Sequence, residues 1–467
     1  MWSSAAQAQT WTKLNHPATF DAGTALLLTD GRVLVQVTDA GQYWTLTPDN
    51  TGNYVNGTWT KVASMPSGYG PLYYASAVLP DGRVIVEGGE YNLGPDEETN
   101  KGAIYDPVAN SWTKVSPPTG WSNIGDAQGV ILANGTFVMS SCCVKAMVSL
   151  NPSTLTWTNI PVTGKADSYN EEGWTLLPTG ELLTVDTTNS ANPTNSELYI
   201  PTKDKWVSAG STVVELPNIG SDEIGPGALR PDGTVFYIGA TGNTAIYTPS
   251  TTGVGTWAAG PPLPSINGQQ LDIADGPSAV LPDGNVLFQA SPGVYNPPSY
   301  FFEYNGVGIQ QVHSTSTASN DPSYAGRMLV LPTGQIFWTD GSTNVEIYTS
   351  TGTYNAAWAP VIEAAPKTVT PGSSYQIAGT LFNGMTQGGY YGDDAQMATN
   401  YPLLQIVNTA TGHVFYARTF NHSSMGVANP SEVATHFEVP SGIETGPSSF
   451  IVVANGIPSA PVAVTVN

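Results

Sequence analysis

The amino-acid sequence predicts an all-β protein: a seven-bladed β-propeller followed by an immunoglobulin-like β-sandwich. The first observation is a hairpin pattern, in which an apolar run, a turn ending in glycine and a second apolar run follow one another. This pattern is clearest at residues 25–35 and 77–86, and weaker copies follow. The turn glycines of the copies are Gly31, Gly82, Gly135, Gly180, Gly233, Gly284 and Gly334.

The second observation is the even spacing of these turns. Successive turn glycines are 51, 53, 45, 53, 51 and 50 residues apart. A period of about 50 residues in an all-β sequence is typical of kelch repeats, each of which forms one four-stranded propeller blade. Seven copies therefore predict seven blades, which we place at residues 10–359.

Tryptophans indicate how the ring of blades closes. Each of the first five repeats ends near a tryptophan of an outer strand. An extra copy of this motif, at Trp11, precedes the first hairpin, whereas the seventh repeat leaves the pattern after Tyr348. We therefore expect the N-terminal strand to complete blade seven, which would remove an exposed sheet edge.

The third observation is that the period stops after Trp358. Residues 360–467 contain short β-runs over about a hundred residues, which is the size and pattern of an immunoglobulin-like sandwich. Neither of the two cysteines lies in this segment. We therefore expect an early-set domain without the antibody-type disulfide.

Composition and charge narrow the possible partners. Acidic residues outnumber basic ones by 36 to 14, so the formal net charge is -22, which disfavours nucleic acids and anionic membranes. No apolar stretch is long enough to span a bilayer. We expect a monomer that takes a carbohydrate or another small neutral or cationic substrate. Residues 5–9 resemble a signal-peptidase site, which predicts a secreted, extracellular or periplasmic protein.

Cys142 and Cys143 are adjacent and follow the returning strand of blade three. They could be two free thiols or a vicinal disulfide, and the disulfide is favoured if the protein is secreted. Adjacent Cα atoms are about 3.8 Å apart, closer than in ordinary disulfides. Such a ring needs surroundings that hold it, and it would lie near the axial opening.

The candidate site comes from the topology of a propeller. Residues just before the entering strand of each hairpin lie around one axial opening. Those positions, eight to ten residues before each turn glycine, hold carboxylates in five repeats and tyrosines in two, although only 11% of the chain is charged. In chain order they are Asp21, Tyr73, Asp126, Glu171 or Glu172, Glu223 with Asp222 beside it, Asp275 and Tyr324.

Clustered carboxylates permit several interpretations. They could be a solvated rim or caps on loop N–H groups, acids and bases with raised pKa values, or oxygen ligands for Ca²⁺. The strand register leaves open which of Glu171 and Glu172 points inward, and which of Asp222 and Glu223. Glu172 is the catalytic candidate of its pair, and Glu223 and Asp222 are candidate calcium ligands.

The repeats, the following sandwich and the two tyrosines resemble the galactose oxidase and glyoxal oxidase family of copper radical oxidases. The resemblance covers nearly the whole chain in architecture. It implies that Tyr73 and Tyr324 match the two copper-binding tyrosines. It also implies that His422 matches a histidine carried up the propeller axis by a hairpin of the C-terminal domain.

Two positions depart from that family. In that family a histidine follows the second tyrosine, but this chain has Ala325 there. The family's cysteine, which cross-links to the first tyrosine, is replaced by Asp21. Two phenols and one imidazole are a poor ligand set for Cu(II), which favours tetragonal, nitrogen-rich sites. We therefore expect neither the cross-link nor the copper-radical chemistry.

Three functional hypotheses follow. The first is an enzyme that acts on carbohydrate by acid–base chemistry, as a hydrolase or a lyase. The second is a copper oxidase with a remodelled site, and the third is a non-catalytic module that binds sugar or protein. The catalytic candidates of the first are Tyr73, Tyr324, His422, Asp21, Asp126, Glu172 and Asp275.

Two expectations concern the C-terminal segment. His422 could pack between the domains or meet the acids on the axis, where its pKa would be raised. The loop at residues 390–394, which carries two tyrosines and two aspartates, could serve the domain interface or a Ca²⁺ site.

Overall fold

The computed structural model describes residues 9–392 and 397–467. Its regular elements are β-strands and three short 3₁₀ turns, at Pro201–Lys203, Ser323–Ala325 and Ala356–Trp358. The all-β prediction is therefore confirmed. Most of the segment that resembles a signal-peptidase site lies outside the described residues. No helix in the described part of the chain is long and apolar enough to cross a membrane.

The strands are numbered in chain order. Those of the first three repeats are β1 Thr10–Lys13, β2 Ala22–Leu27, β3 Val33–Val37, β4 Tyr43–Thr47, β5 Thr58–Lys61, β6 Pro71–Leu72, β7 Ala75–Val78, β8 Val84–Glu87, β9 Tyr91–Asn92, β10 Gly102–Asp106, β11 Ser111–Val115, β12 Gly129–Ile131, β13 Phe137–Ser140, β14 Met147–Asn151 and β15 Thr156–Ile160. Those of the fourth to seventh repeats are β16 Thr175–Leu176, β17 Leu182–Val185, β18 Asn195–Ile200, β19 Lys205–Ser211, β20 Gly227–Leu229, β21 Val235–Ile238, β22 Thr244–Thr248, β23 Thr256–Ala259, β24 Ser265–Ile266, β25 Gln269–Asp272, β26 Ser278–Val280, β27 Val286–Pro292, β28 Tyr300–Tyr304, β29 Ile309–Gln311, β30 Arg327–Val330, β31 Ile336–Thr339 and β32 Val345–Thr349. The C-terminal strands are β33 Val361–Ala364, β34 Thr368–Val369, β35 Ser374–Thr380, β36 Gly389–Tyr390, β37 Leu403–Asn408, β38 Val414–Phe420, β39 Val433–Glu438, β40 Gly446–Ala454, β41 Ile457–Pro458 and β42 Val462–Val466.

Each predicted hairpin lies within its own antiparallel sheet, so the propeller is confirmed. Six of these sheets have four strands, and the sheet of the sixth repeat has seven. In that larger sheet, β26 to β29 are extended by β24, β25 and β36. The seven turn glycines all have φ between +78° and +87°, a left-handed conformation that glycine adopts without a steric cost.

The N-terminal strand closes the ring as predicted. β1 pairs with β32, and Trp11 lies opposite Tyr348. The Trp11 ring lies 4.9 Å from the rings of both Tyr348 and Phe301. This packing between two neighbouring repeats covers the strand edge that the seventh repeat would otherwise expose.

The C-terminal strands other than β36 form one sheet of nine strands, in which eight follow a single hydrogen-bonded path and β41 pairs with β40 beside it. The reason is that β38 changes partner along its length. Its first half, from Val414, pairs with β37, and its second half, to Phe420, pairs with β39. One strand thus joins what would otherwise be two separate sheets.

The C-terminal unit covers the propeller face that carries the hairpin turns. A Cβ atom added to Gly31 would lie 2.4 Å from the Tyr416 ring, and one added to Gly82 would lie 3.3 Å from the Thr419 carbonyl oxygen. β36 leaves this unit and pairs with β26 inside the propeller. The candidate site lies at the other end of the strands.

Candidate functional site: a carboxylate pocket

Loops at the open end of the propeller enclose a cavity of about 650 Å³. They come from before the first strand of the repeats, as predicted, and also from after the second strand. The residues that line the cavity are Asp39, Leu72, Tyr73, Glu90, Tyr91, Gly94, Asp126, Glu171, Ser221, Glu223, Asp275, Tyr295 and Tyr324.

Three carboxylates converge in this pocket. Glu171, Glu223 and Asp275 each place an oxygen within 4.8 Å of the others. Burial raises the pKa of Glu171 well above its usual range, and the charges of Asp126, Asp275 and Glu223 raise it further. Glu171 therefore keeps its proton at a pH where ordinary carboxyl groups have lost theirs.

Several lining residues have a left-handed backbone. The φ angles are +50° at Asp39, +51° at Tyr73, +55° at Glu171, +52° at Asp275 and +66° at Tyr295. Such a conformation costs a non-glycine residue roughly 1–3 kcal/mol, and it persists where the surrounding structure imposes it, often at functional sites. The loops thus present these side chains to the pocket at a cost in stability.

Tyr295 contacts the cluster of three carboxylates. Its hydroxyl donates a hydrogen bond to Glu223, and its ring lies edge-on to Tyr324, 5.6 Å away. Burial and then this bond to Glu223 raise the pKa of Tyr295, so its phenol stays protonated. The Tyr295 phenol thus fixes one carboxylate oxygen of Glu223 in the pocket.

Arg327 contacts both predicted tyrosines, Tyr73 and Tyr324. The Arg327 guanidinium stacks on the Tyr73 ring at 5.3 Å and on the Tyr391 ring at 4.2 Å. Its Nη1 donates to the carbonyl oxygen of Tyr324 at 2.6 Å, and the Tyr391 hydroxyl donates to the same oxygen at 2.6 Å. The loop after β36 therefore brings Tyr391 against the pocket, while Asp393 and Asp394 of this loop lie outside the described residues.

Five of the predicted residues line the pocket. They are Tyr73, Asp126, Glu223, Asp275 and Tyr324.

Three other predicted acids lie elsewhere. Glu172 points away, with Oε2 3.0 Å from Lys165 Nζ, and Glu171 takes the inward position. Asp222 accepts a hydrogen bond from Asn170 Nδ2 at 3.1 Å, beside the pocket. Asp21 is exposed and does not line the cavity. In the two neighbouring pairs, Glu171 and Glu223 take the inward positions, because successive side chains of an extended segment point in opposite directions.

The prediction that His422 meets the acids is wrong. Its backbone N–H donates to the carbonyl oxygen of Pro80, in a hairpin turn at the far end of the propeller. Its ring stacks on Tyr401, and its Nδ1 lies 2.9 Å from the Thr435 hydroxyl. Burial lowers the pKa of His422 to about 3, instead of raising it. The C-terminal element that enters the propeller is β36, so the His422 hairpin packs between the two units.

Residues after the returning strands were not predicted. Asp39, Glu90, Tyr91 and Tyr295 all follow the second strand of a repeat hairpin. The same topology that selected the entering positions also places these loops at the opening. Tyr295 lies in a Gly- and Pro-rich insertion, residues 292–298, which was a usable signal in the sequence.

The vicinal disulfide is present between Cys142 and Cys143. Cys142 is buried and Cys143 is exposed. The Cys142 sulfur and one carboxylate oxygen of Asp126 lie within 4.8 Å of each other. The disulfide therefore borders the pocket, as the sequence indicated.

The donor atoms of the pocket do not suit copper. Among the described residues that line it, neither histidine nor cysteine occurs, and the side-chain donors are carboxylate, phenol and hydroxyl oxygens. Cu(II) favours nitrogen-rich, tetragonal sites, whereas carboxylate oxygens suit Ca²⁺, Mg²⁺ or Mn²⁺.

Comparison with known proteins agrees with this fold. No family model matches the chain. It is 28% identical over 149 residues to the Kelch-like protein terF of Aspergillus terreus, and the match spans 30% of this chain and 29% of that relative's length. A fungal alcohol oxidase of the AA5 family, solved in complex with copper, is similar in structure. It superposes with a TM-score of 0.56 and 13% identity, over 99% of this chain and 100% of the oxidase.

A second solved structure is similar over part of the chain. Catalytically inactive virginiamycin B lyase from Staphylococcus aureus, in complex with quinupristin, superposes with a TM-score of 0.50 and 11% identity. The match covers 73% of this chain and 99% of the lyase. At these identities the likeness concerns the fold alone.

The repeats and their sheets define a β-propeller protein, part of which is similar to a Kelch-like protein. Its fold is similar to that of the fungal AA5 alcohol oxidase, and the resemblance seen in the sequence is confirmed for the fold.

Proposed function

We propose that the carboxylate pocket is the active site of an enzyme that acts on carbohydrate by acid–base catalysis. The observation that supports this most is Glu171, a carboxyl group with a raised pKa beside Glu223 and Asp275. Neighbouring carboxyl groups whose environments separate their pKa values are the usual way to assign an acid and a base.

Glu171 is the proton donor in this proposal. Glu223, held by the Tyr295 hydroxyl, or Asp275 is the ionised partner. Carboxylate oxygens within 4.8 Å of one another are nearer to the roughly 5–5.5 Å separation of retaining glycosidases than to the roughly 6.5–9.5 Å of inverting ones. Tyr73 and Tyr324 offer the phenols that a lyase would use for proton transfer instead.

The pocket chemistry favours a neutral or cationic sugar. Its volume of about 650 Å³ falls within the roughly 300–1,000 Å³ of small-molecule sites. Phenols and carboxylates can bind sugar hydroxyls. The acids of the pocket and the net charge of -22 would repel uronic acids and sulfated sugars.

The test is turnover on neutral and amino-sugar oligosaccharides. New reducing ends without unsaturation would indicate a hydrolase, and ultraviolet absorbance from a new double bond would indicate a lyase. Glu171→Gln should lower the rate by about 10²–10⁴-fold. Asp21→Asn, an exposed acid outside the pocket, is the matched control and should keep the full rate. Equal rates for Glu171→Gln and wild type would refute the proposal.

A hard cation is the second candidate ligand. Three converging carboxylates could also balance their charge with Ca²⁺, which takes oxygen ligands at about 2.3–2.6 Å. Calorimetric titration with CaCl₂ should then give one site that Glu223→Gln abolishes and Asp21→Asn keeps. Peroxide production after copper loading would favour the remodelled oxidase instead. Sugar binding without turnover would favour a non-catalytic module.

We further infer that the seven repeat sheets act as seven blades over residues 10–359, with residues 360–467 as an early-set sandwich. The Cys142–Cys143 disulfide supports a secreted protein, because disulfides persist in oxidising compartments. We also propose that the protein is a monomer. Light scattering of the purified protein tests the monomer.

A further inference from the structure

The disulfide touches the loop that carries Asp126. The Cys142 N–H donates to the Ile124 carbonyl oxygen at 2.7 Å. A Cβ atom added to Gly125 would lie 2.8 Å from Cys142 Cβ, so only glycine allows this close approach. Asp126 is the next residue and lines the pocket.

The disulfide also touches the loop that carries Glu171. The Cys143 N–H donates to the Tyr169 carbonyl oxygen, and Val144 pairs with Tyr169 in an isolated bridge. Asn170 Oδ1 lies 3.3 Å from Cys143 Sγ and 3.7 Å from Cys142 Sγ. Glu171 follows directly.

Asn170 links this contact to a third loop. Its Nδ2 donates to Asp222 Oδ2 at 3.1 Å, and its carbonyl oxygen accepts from the Thr187 hydroxyl. Glu223 follows Asp222 in the chain. One asparagine side chain thus joins the disulfide to the loop of the fifth repeat.

We propose that the Cys142–Cys143 disulfide and Asn170 form a positioning unit that holds the loops of Asp126, Glu171 and Glu223 in register. Cys143, Glu171 and Asp222 have φ angles of +72°, +55° and +64°, conformations that persist only where neighbours impose them. This positioning unit borders the carboxylate pocket, but the proposal does not depend on which reaction the pocket catalyses.

The unit is sensitive to a dithiol reductant. Dithiothreitol supplies two electrons and two protons, the S–S bond breaks to give two thiols, and the reductant becomes a cyclic disulfide. The exposed Cys143 sulfur is the accessible point of attack. Reduction opens the ring that fixes the two sulfurs against Asn170.

The test uses Tyr295, which contacts Glu223 but belongs to the sixth repeat. Its ¹³Cζ NMR signal, assigned with Tyr295→Phe, reports the hydrogen bond to Glu223. Dithiothreitol should shift this signal, and reoxidation should restore it. Asn170→Ala should shift it with the disulfide intact. Asn134→Ala, in a turn at the far end of the third repeat, is the matched control and should leave it unchanged.

Amide hydrogen exchange provides a second readout. In reduced protein, exchange should rise about tenfold in the loops at residues 122–128, 166–173 and 219–224, as expected for local opening. The loop at residues 321–326, which carries Tyr324, should stay protected. A variant with both cysteines changed to alanine should show the same exchange as reduced protein, and dithiothreitol should not change it.

An unchanged Tyr295 signal on reduction and in Asn170→Ala would overturn the proposal, as would faster exchange in all four loops alike. Neither experiment needs a substrate. The positioning unit can therefore stand if the proposed catalysis fails, and the reverse also holds.

Discussion

Glu171 and Glu172 are neighbours in the chain and turn their carboxylates in opposite directions. Glu172 Oε2 lies 3.0 Å from Lys165 Nζ in the protein interior. Glu171, with a left-handed φ of +55°, lines the pocket. The ion pair with the buried lysine thus holds Glu172 in the interior, while Glu171 reaches the candidate site.

Lys165 should be a strong determinant of stability. Its side chain is 0% exposed and contacts Asp167, Glu172 and Glu197. Burial alone would lower its pKa, but these three carboxylates and Asp186 together outweigh burial and raise the pKa well above its ordinary value. Lys165→Met leaves buried carboxylates without their cation, so the free energy of unfolding should fall by about 3–5 kcal/mol.

Urea denaturation measures this change. Lys101→Met is the control, because the pair of Lys101 with Glu97 is exposed and should contribute about 1 kcal/mol or less. Equal losses of unfolding free energy in Lys165→Met and Lys101→Met would contradict a strong stabilising role for Lys165.

Glu171→Gln should stabilise the protein more at high pH than at low pH. The pKa of Glu171 is raised in the folded state, so folding binds a proton at pH values above the unfolded pKa of about 4.3. Its contribution to stability is full below that value and is lost as pH rises through the folded pKa. Each pH unit in this window removes about 1.4 kcal/mol from wild type but not from the variant.

Urea denaturation of wild type and Glu171→Gln at pH 4 and pH 8 measures how the stability of each changes with pH. Asp21→Asn serves again as the control. A variant that loses stability equally at both pH values would show that Glu171 carries no raised pKa.

His422 should make the protein sensitive to acid. Its pKa is lowered to about 3 by burial, so its contribution to stability is full above the unfolded pKa of about 6.5 and is lost as pH falls below it. Between pH 6.5 and pH 5, wild type should lose about 1.6 kcal/mol that His422→Leu does not lose. The exposed His313, as His313→Gln, is the control. Parallel curves for wild type and His422→Leu would contradict a neutral buried imidazole.

Copper should bind weakly. The described residues that line the pocket offer oxygen donors, whereas Cu(II) prefers nitrogen-rich sites. Electron paramagnetic resonance after copper loading and dialysis should therefore show little bound Cu²⁺. Stoichiometric copper that survives dialysis would refute this expectation.

Much of the fold could be predicted from the sequence, since the turn glycines and the Trp11 motif are local signals with a fixed period. The same repeat topology predicted which end of the propeller carries the pocket, and Tyr73, Asp126 and Tyr324 lie there as predicted. The choice of Glu171 over Glu172 could not be predicted, because it depends on Lys165 and on the left-handed turn beside it. His422 was misplaced because a resemblance in topology does not specify which C-terminal segment enters the propeller, a place that β36 takes.

The most direct test of the carboxylate pocket is the titration of the Glu171 side-chain carboxyl by ¹³C NMR in wild-type protein, with its signal assigned by Glu171→Gln. We predict a midpoint well above the usual value of about 4.3, with a further change in the curve when Asp275→Asn removes a neighbouring charge. A midpoint near the usual value, unaffected by Asp275→Asn, would mean that the acids do not converge and that the pocket holds no proton donor at neutral pH.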